Sequence, residues 1–391
     1  MAKRGNGAGS IYRQKSTGKW GGSITLENGK RKYFYGKTQK EVQDKINEAL
    51  YEQQRGMLAT GSNATMQEYL EDWLEKTHKH TVRLGTYLNY QKLLRNYLVP
   101  GLGKVKLQKL TAPQVQAFYS AKLDEGLSPK TVTNIHGLLH KALDNAVRWN
   151  IVSRNVCDAV TPPRVPRKEL NFLTQDQAAT LLQEVKAHKL EALLTVAITT
   201  GLRRGELLAL RWQDINFESG TIQVKRAVSY HQKYGYVESE PKTSRSRREI
   251  MLASFVVDIL TKHEQQQKEQ RLAVGGDWTD KNLVFTNATG DFYSPSTLVK
   301  AFRRFLMKVG LPHMRFHDLR HSAATILLTM KVHPKVVQEI LGHSQIATTM
   351  DIYSHAMPSM QSEATEQWDT TFEQALKRGN PRGKARTLRV V

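Results

Sequence analysis

The chain has 391 residues, with 58 Lys or Arg against 36 Asp or Glu, a formal net charge of +22 at neutral pH. At about 150 residues per domain this suggests two to three domains; 39% hydrophobic and 24% charged residues exclude a disordered or fibrous chain. A single cysteine, Cys157, excludes an intrachain disulfide and a cysteine-built zinc cluster, and no apolar run reaches the ~18–20 residues of a membrane span.

Met1 to Gly7 lacks the apolar stretch of a secretion signal, so the expectation is a soluble protein of a reducing compartment with no membrane partner. Residues 1–60 carry 12 basic and 5 acidic side chains, 61–165 carry 14 and 8, and 166–391 carry 32 and 23. Every segment is basic, as expected if every segment touches the phosphate backbone of a nucleic acid.

In chain order, Ser10 to Lys15, Lys19 to Leu26 and Lys30 to Tyr35 mix strand formers with basic residues. Asn28-Gly29 supplies the positive-φ pair of a type I′ hairpin. Thr38 to Glu41 forms a capping box, and Val42, Ile46, Ala49 and Leu50 follow at helical spacing. Tyr12, Trp20, Tyr33 and Tyr35, among basic residues such as Arg13 and Lys19, either meet DNA or pack on this helix. Gly36-Lys37-Thr38 is no phosphate loop, because Arg31 stands where the first glycine must be.

Ala59 to Ala64 reads as a linker, after which a capping box at Thr65 to Glu68 opens a helical domain. Helical patterns cover roughly 84–99, 112–125 and 128–149, separated by Pro100-Gly101-Leu102-Gly103 and Gly126-Leu127-Ser128-Pro129. Ser128 caps a helix start where Lys130 and Thr131 can meet phosphate through free backbone N–H groups, although any helix uses the same cap. A stiff basic linker spans Thr161 to Lys168. Beyond it, Thr174 to Gln177 caps helices to about Thr199, Thr221 to Val228 alternates as a strand with Arg247 to Leu252 as its partner, and the pattern from Ser294 is helical. The fold class is multidomain α+β: a small three-stranded sheet plus helix, an all-helical domain, and a mostly α domain with a small antiparallel sheet.

Five stretches of the third segment gather Arg, His, Lys and one Tyr: Thr200 to Leu208, Pro241-Lys242-Thr243 (with Arg245, Arg247 and Arg248 behind it), His317 to His321, Leu341 to Ser344, and Thr348 to His355. In the first, a glycine turn enters a helix whose opening residues include Arg203 and Glu206, a place where arginine offers two parallel N–H bonds to a phosphate. His317 and Arg320, at i and i+3, share a helix face. His313, His317 and His321 lie four apart, but no carboxylate occupies the position a His-Glu-x-x-His zinc helix needs, so no metal is expected.

These ordered motifs closely resemble the tyrosine recombinase (phage integrase) family across the whole third segment. The first two segments resemble its accessory domains in phage and conjugative-transposon integrases. The resemblance implies an arm-type DNA-binding domain at 1–58, a core-site-binding domain at 65–160 and a catalytic domain with a basic tail at 169–391. It implies an active-site set of Arg203, Lys242, His317, Arg320 and His343 with Tyr353 as nucleophile and Glu206 in support, Arg204 falling on a variable position. Two arginines bind the charge developing on the nonbridging oxygens, Lys242 protonates the leaving 5′-oxygen, and His317 is the candidate base, although either histidine can exchange protons. The expected activity is site-specific integration, and excision, of a phage or mobile element in the bacterial cytoplasm, beside the nucleoid. It uses no cofactor and works as a homotetramer on double-stranded DNA, with an excision factor or host DNA-bending protein as helper. Residues after Met357 either pack on a neighbouring subunit or form a phosphate-binding tail from Lys377 to Arg386. The alternatives are a type IB topoisomerase-like enzyme and a non-catalytic DNA-binding protein.

Overall fold

A computed structural model of the chain describes residues 9–14, 17–25, 31–54, 64–166, 171–240 and 247–356, with 365–366, 368–370 and 372 beyond them. The Asn28-Gly29 turn, Lys242 and the Lys377 to Arg386 tail lie outside the described residues. The chain divides into two compact units, Met1–Arg167 and Lys168–Val391. Among the described residues no helix is long and apolar enough to cross a membrane.

The first unit opens with an antiparallel sheet of β1 (Ser10–Arg13), β2 (Trp20–Thr25) and β3 (Arg31–Gly36). Helix α1 (Gln39–Gln54) covers one face, and Ile24, Val42, Ile46 and Ala49 form the buried contact. Only half of the expected capping box forms at its start. Thr38 Oγ1 accepts the Glu41 N–H, but the Glu41 carboxylate takes the Lys37 N–H instead of reaching back to Thr38.

A helical bundle follows: α2 (Met66–Asp72), α3 (Leu84–Leu93), α4 (Val99–Leu102), α5 (Ala112–Asp124) and α6 (Pro129–Arg148). Thr65 and Glu68 cap α2 reciprocally, and Ser128 Oγ accepts the Thr131 N–H at the start of α6. The break expected over Pro100 to Gly103 falls at the end of that stretch: π-helical turns at Leu94–Leu98 lead straight into α4, and the chain stays helical to Leu102. Pro100 sits at the second position of α4, directly after the π-helical turns. Apolar side chains at helical spacing on α6, from Val132 to Ala146, share one buried core with residues of α2, α3 and α5.

The second unit contains α7 (Gln175–Glu184), α8 (Glu191–Thr200) and the short α9 (Arg204–Leu208). Strands β4 (Ile215–Asn216), β5 (Thr221–Val224) and β8 (Arg248–Met251) make one antiparallel sheet, while β6 (Ala227–His231) and β7 (Gly235–Ser239) form a separate hairpin. The single strand expected over Thr221 to Val228 is therefore two. Lys225 and Arg226 both reach the buried Asp214 carboxylate, at 3.5 and 2.5 Å, which successive residues of a continuing strand cannot do. Helices α10 (Ser254–Val274), α11 (Pro295–Lys308), α12 (Asp318–Thr329), α13 (Pro334–Leu341) and α14 (Ile346–Ala356) complete the unit. The apolar α8 lies deep in its core.

Candidate active site

Helix α8 stops because Gly201 adopts a left-handed conformation, φ 62°, and a Cβ there would also lie 2.4 Å from Leu341 Cδ2. Leu202 is buried, and the chain turns into α9 with Arg203 just ahead of the helix. Glu206, in the first turn of α9, reaches back: its carboxylate accepts the Arg203 N–H at 3.0 Å and Arg203 Nη1 at 2.7 Å. One of the unpaired donors at the helix start is thereby satisfied, and the guanidinium is fixed by the same acid. Arg204, the next residue, is exposed.

His317 directly precedes α12. Asp318, buried, accepts the Arg315 N–H at 2.8 Å and the Arg315 guanidinium, which shapes the turn into the helix. Arg320 is only 3% exposed; its Nη1 donates to Gly201 O at 2.8 Å and its Nη2 to Leu341 O at 2.6 Å.

Helix α13 ends at Gly342, again left-handed at φ 67°. The carbonyls of Ile340, Leu341 and Gly342 accept from three arginines: Arg248 Nε at 2.6 Å, Arg320 Nη2 at 2.6 Å and Arg203 Nη2 at 3.0 Å. The last carbonyls of a helix lack partners within it and carry the negative end of its dipole, so they attract cations. Here they act as a template that gathers arginines from the turn ahead of α9, from α12 and from β8.

His343 follows at once and is buried. Its N–H donates to Gln338 O and its carbonyl accepts Gln338 Nε2, both at 3.1 Å. Its Nδ1 lies 2.9 Å from Oγ1 of Thr349, which is fully buried on α14. Tyr353 falls one turn further along that helix. Ile352 beside it packs with Ala324, Leu328, Val337 and Leu341, fixing the helix against α12 and α13.

Burial sets the electrostatics. Burial, with Arg320 and Arg203 adding, pushes His343 down to about 3. His317 is exposed as a residue, but its ring is partly enclosed; that enclosure, with His321 and Arg320 nearby, pushes it down to about 4. Both are neutral at pH 7. Burial also lowers Arg320 to about 9, with Arg203 adding, which still leaves it charged. Burial alone would raise the Glu206 carboxyl, but Arg248 and Arg203 hold it below the usual carboxylate range.

The structure thus brings Arg203, Glu206, Arg320 and His343 into one network, with His317 at the start of α12 and Tyr353 on the adjoining α14. Arg248, Gln338 and Thr349 belong to this network and were not singled out for a role by the sequence. Gln338 and Thr349 have only their nearness to His343 and Tyr353 as a signal, and Arg248 stands in a run of basic residues. Of His313, His317 and His321, the last two rings meet edge to face with centroids 5.3 Å apart, while His313 lies in the loop before α12 and shares no helix with them. Among the described residues the three-ligand grouping is elsewhere, at His140, Asp144 and Asp158, where the His140 nitrogens lie 3.1 and 2.9 Å from the two carboxylates.

Comparison with known proteins matches the phage integrase family to residues 171–360, and the phage integrase N-terminal SAM-like domain to residues 65–123. A tyrosine recombinase XerC-like protein of Caldanaerobacter subterraneus subsp. tengcongensis is 31% identical over 366 residues, 88% of this chain and 94% of that protein. The chain belongs to the tyrosine recombinases, of the phage and transposon integrase type. It is a site-specific recombinase. The fold of this recombinase resembles the Tn1549 transposon integrase in complex with a circular intermediate DNA, with TM-score 0.67 and 22% identity over 78% of this chain and 99% of that one. It also resembles a lambda integrase tetramer bound to a Holliday junction, with TM-score 0.52 and 18% identity over 86% and 95%.

In the first unit of the recombinase, Tyr12, Tyr33 and Tyr35 are exposed on the sheet face away from α1. Trp20 is placed differently from the DNA-contact expectation: it packs beside Ile11, Phe34 and Leu50 on the helix-covered face. Arg13, opposite Trp20 in the register, donates from Nε to Gly18 O at 3.2 Å across the β1–β2 turn, and Lys19 is exposed beside it. Lys130 is exposed in the first turn of α6, while Thr131 is half-buried and hydrogen-bonded to Ser128.

Proposed function

We propose that the recombinase is an integrase that cleaves and rejoins attachment-site DNA through 3′-phosphotyrosine intermediates, and so integrates and excises a phage or other mobile element. Residues 1–58 bind arm-type sites, 65–160 clamp the core site and 169–391 carry the chemistry. Four copies act together on two DNA partners, assisted by an excision factor or a host DNA-bending protein. The Tn1549 transposon integrase with circular intermediate DNA and the lambda integrase tetramer on a Holliday junction support this reading.

In the cleavage step the Tyr353 phenol oxygen attacks the scissile phosphorus and its proton passes to His317. The 5′-oxygen departs with a proton from Lys242. One phosphoester bond forms as another breaks, so no external energy source is required. Charge developing on the nonbridging oxygens falls to Arg203 and Arg320, whose fixed forks suit it better than any ammonium. His343, neutral and held through Nδ1 by Thr349, donates from its other ring nitrogen. Burial first, and then His321 and Arg320, lower His317; a phosphate bound beside these cations opposes them and makes the imidazole a better base.

The observation that carries this reading is the pair of guanidiniums, Arg203 and Arg320, fixed on adjacent carbonyls just ahead of His343. A nicked suicide substrate tests it. The native chain should trap a covalent adduct and give strand-exchanged product, and Tyr353→Phe should bind the same DNA without any adduct. An adduct from Tyr353→Phe would falsify the nucleophile assignment. Adduct without exchange from the native chain favours a topoisomerase-like enzyme, and neither product favours a DNA-binding protein.

A further inference from the structure

Three arginines cap the end of α13, and only two of them belong to the phosphate clamp. Arg248, at the start of β8, is 6% exposed at its side chain. Its Nε donates to Ile340 O at 2.6 Å, its Nη2 to Glu206 Oε2 at 3.0 Å, and its Nη1 lies 3.5 Å from Glu206 Oε1. Gly342 is packed directly on it, since a Cβ there would lie 2.9 Å from Arg248 Nη1 and 3.1 Å from Cδ. One side chain therefore joins the strand that follows Lys242, the acid that holds Arg203, and the helix end that holds both clamp arginines.

The charges explain why a third arginine is useful. Arg203, Arg248 and Arg320 bring three positive charges and Glu206 one negative, which leaves two for a phosphate whose charge grows on cleavage. If Glu206 had Arg203 as its ion partner without Arg248, the guanidinium needed by the phosphate would be largely neutralised at rest. Sharing the carboxylate with a buried arginine that faces away from solvent leaves Arg203, whose side chain is 39% exposed, oriented and available.

We infer that Arg248 is a positioning residue for strand cleavage: its buried pairing with Glu206 and the Ile340 carbonyl keeps Arg203 aimed at the scissile phosphate, although Arg248 itself touches no DNA. This rests on the reading of Arg203 and Arg320 as the clamp. Buried charged residues that act through a shared partner are strongly coupled, whereas residues that act independently are additive.

The test is single-turnover cleavage of a nicked suicide substrate by the full chain, with core-site affinity and thermal unfolding measured in parallel. Arg248→Lys keeps the charge but loses the Nε and the fork, and is expected to cleave about tenfold slower with unchanged DNA affinity. Arg248→Met should be slower again. In a Glu206→Gln background, itself impaired, either Arg248 substitution should add less than about twofold, because the acid through which Arg248 acts has lost its charge. Equal losses in both backgrounds overturn the inference, as does cleavage at the native rate by both Arg248 variants. A fall in DNA affinity large enough to account for the lost rate overturns it too. Should Arg248→Met not fold, Arg248→Lys in the two backgrounds carries the same comparison. Arg203→Ala, run alongside, separates the failures: normal cleavage by that variant sinks the clamp itself, whereas a dead Arg203→Ala beside normal Arg248 variants sinks only this inference.

Discussion

On the open face of the β1–β3 sheet, Arg31 lies exposed with Tyr12, Tyr33 and Tyr35, whereas at the end of α13 Arg248 and Arg320 are almost wholly buried. The same residue type serves opposite physics. Exposed arginines contribute attraction that salt screens and any polyanion can draw on. Buried ones are held to fixed acceptors, so their charge has a direction, and low surrounding dielectric makes it stronger. The net charge of +22 carries no direction, yet only an arginine held to fixed acceptors, as Arg203 and Arg320 are, can aim its charge at a transition state.

The largest effect that would break this comparison comes from Arg320→Ala. It removes one arm of the clamp and leaves the Gly201 and Leu341 carbonyls without a partner. Cleavage should fall about a hundredfold to a thousandfold, with a stability loss of about 2–3 kcal/mol from the two buried carbonyls. Core-site affinity should change little, since the other basic residues still grip the backbone. Cleavage rate, binding and thermal unfolding on one preparation check all three. A variant that loses binding as much as cleavage would mean that Arg320 is simply another backbone contact.

How far the sequence foretold this site follows from the same contrast. Arg203, Arg320, His343 and Tyr353 stand in short motifs whose order carries the family resemblance, so they are legible as a set, although no one motif suffices alone. Arg248 is not, because it sits with Arg245 and Arg247 in a basic run, and only its pairing with Glu206, 42 residues away in sequence, sets it apart. The β6–β7 hairpin was hidden for a similar reason: buried Asp214 draws in Lys225 and Arg226 and turns the strand. Local signals fared better. The caps at Thr65, Ser128 and Thr174 are formed within four residues and were readable as such. On the sheet, strand formers and tyrosines gave the strands, but which ring faces α1 depends on register, and that put Trp20 inside and Tyr33 outside.

A smaller effect concerns pH. His343 and His317 are held at about 3 and about 4 in the folded chain, against an ordinary 6.5. Between those limits the unfolded chain binds more protons, so acid favours unfolding, and stability rises with pH until about 6.5. His188, His263 and His321 are shifted in the same direction and add to the trend. From pH 7 to pH 5 the melting temperature should therefore fall, before most carboxylates protonate. His343→Gln should shallow that slope without abolishing it. An unchanged slope would mean that the His343 ring is not buried beside Arg320 and Arg203 as the geometry requires.

The smallest effect lies on the other side of the comparison. Arg31→Gln removes one exposed charge from the open sheet face. With one fewer cation to neutralise phosphate there, the slope of log affinity against log salt should become shallower by about one. Affinity for arm-type DNA at moderate salt should drop less than about tenfold, and cleavage of a core-only suicide substrate should be unaltered. Adding Tyr33→Ser should deepen the binding loss without touching the salt slope, since a neutral ring releases no counterion. If either substitution slows cleavage on core-only DNA, the sheet is coupled to the chemistry, and the division between generic grip and directed charge does not hold for this recombinase.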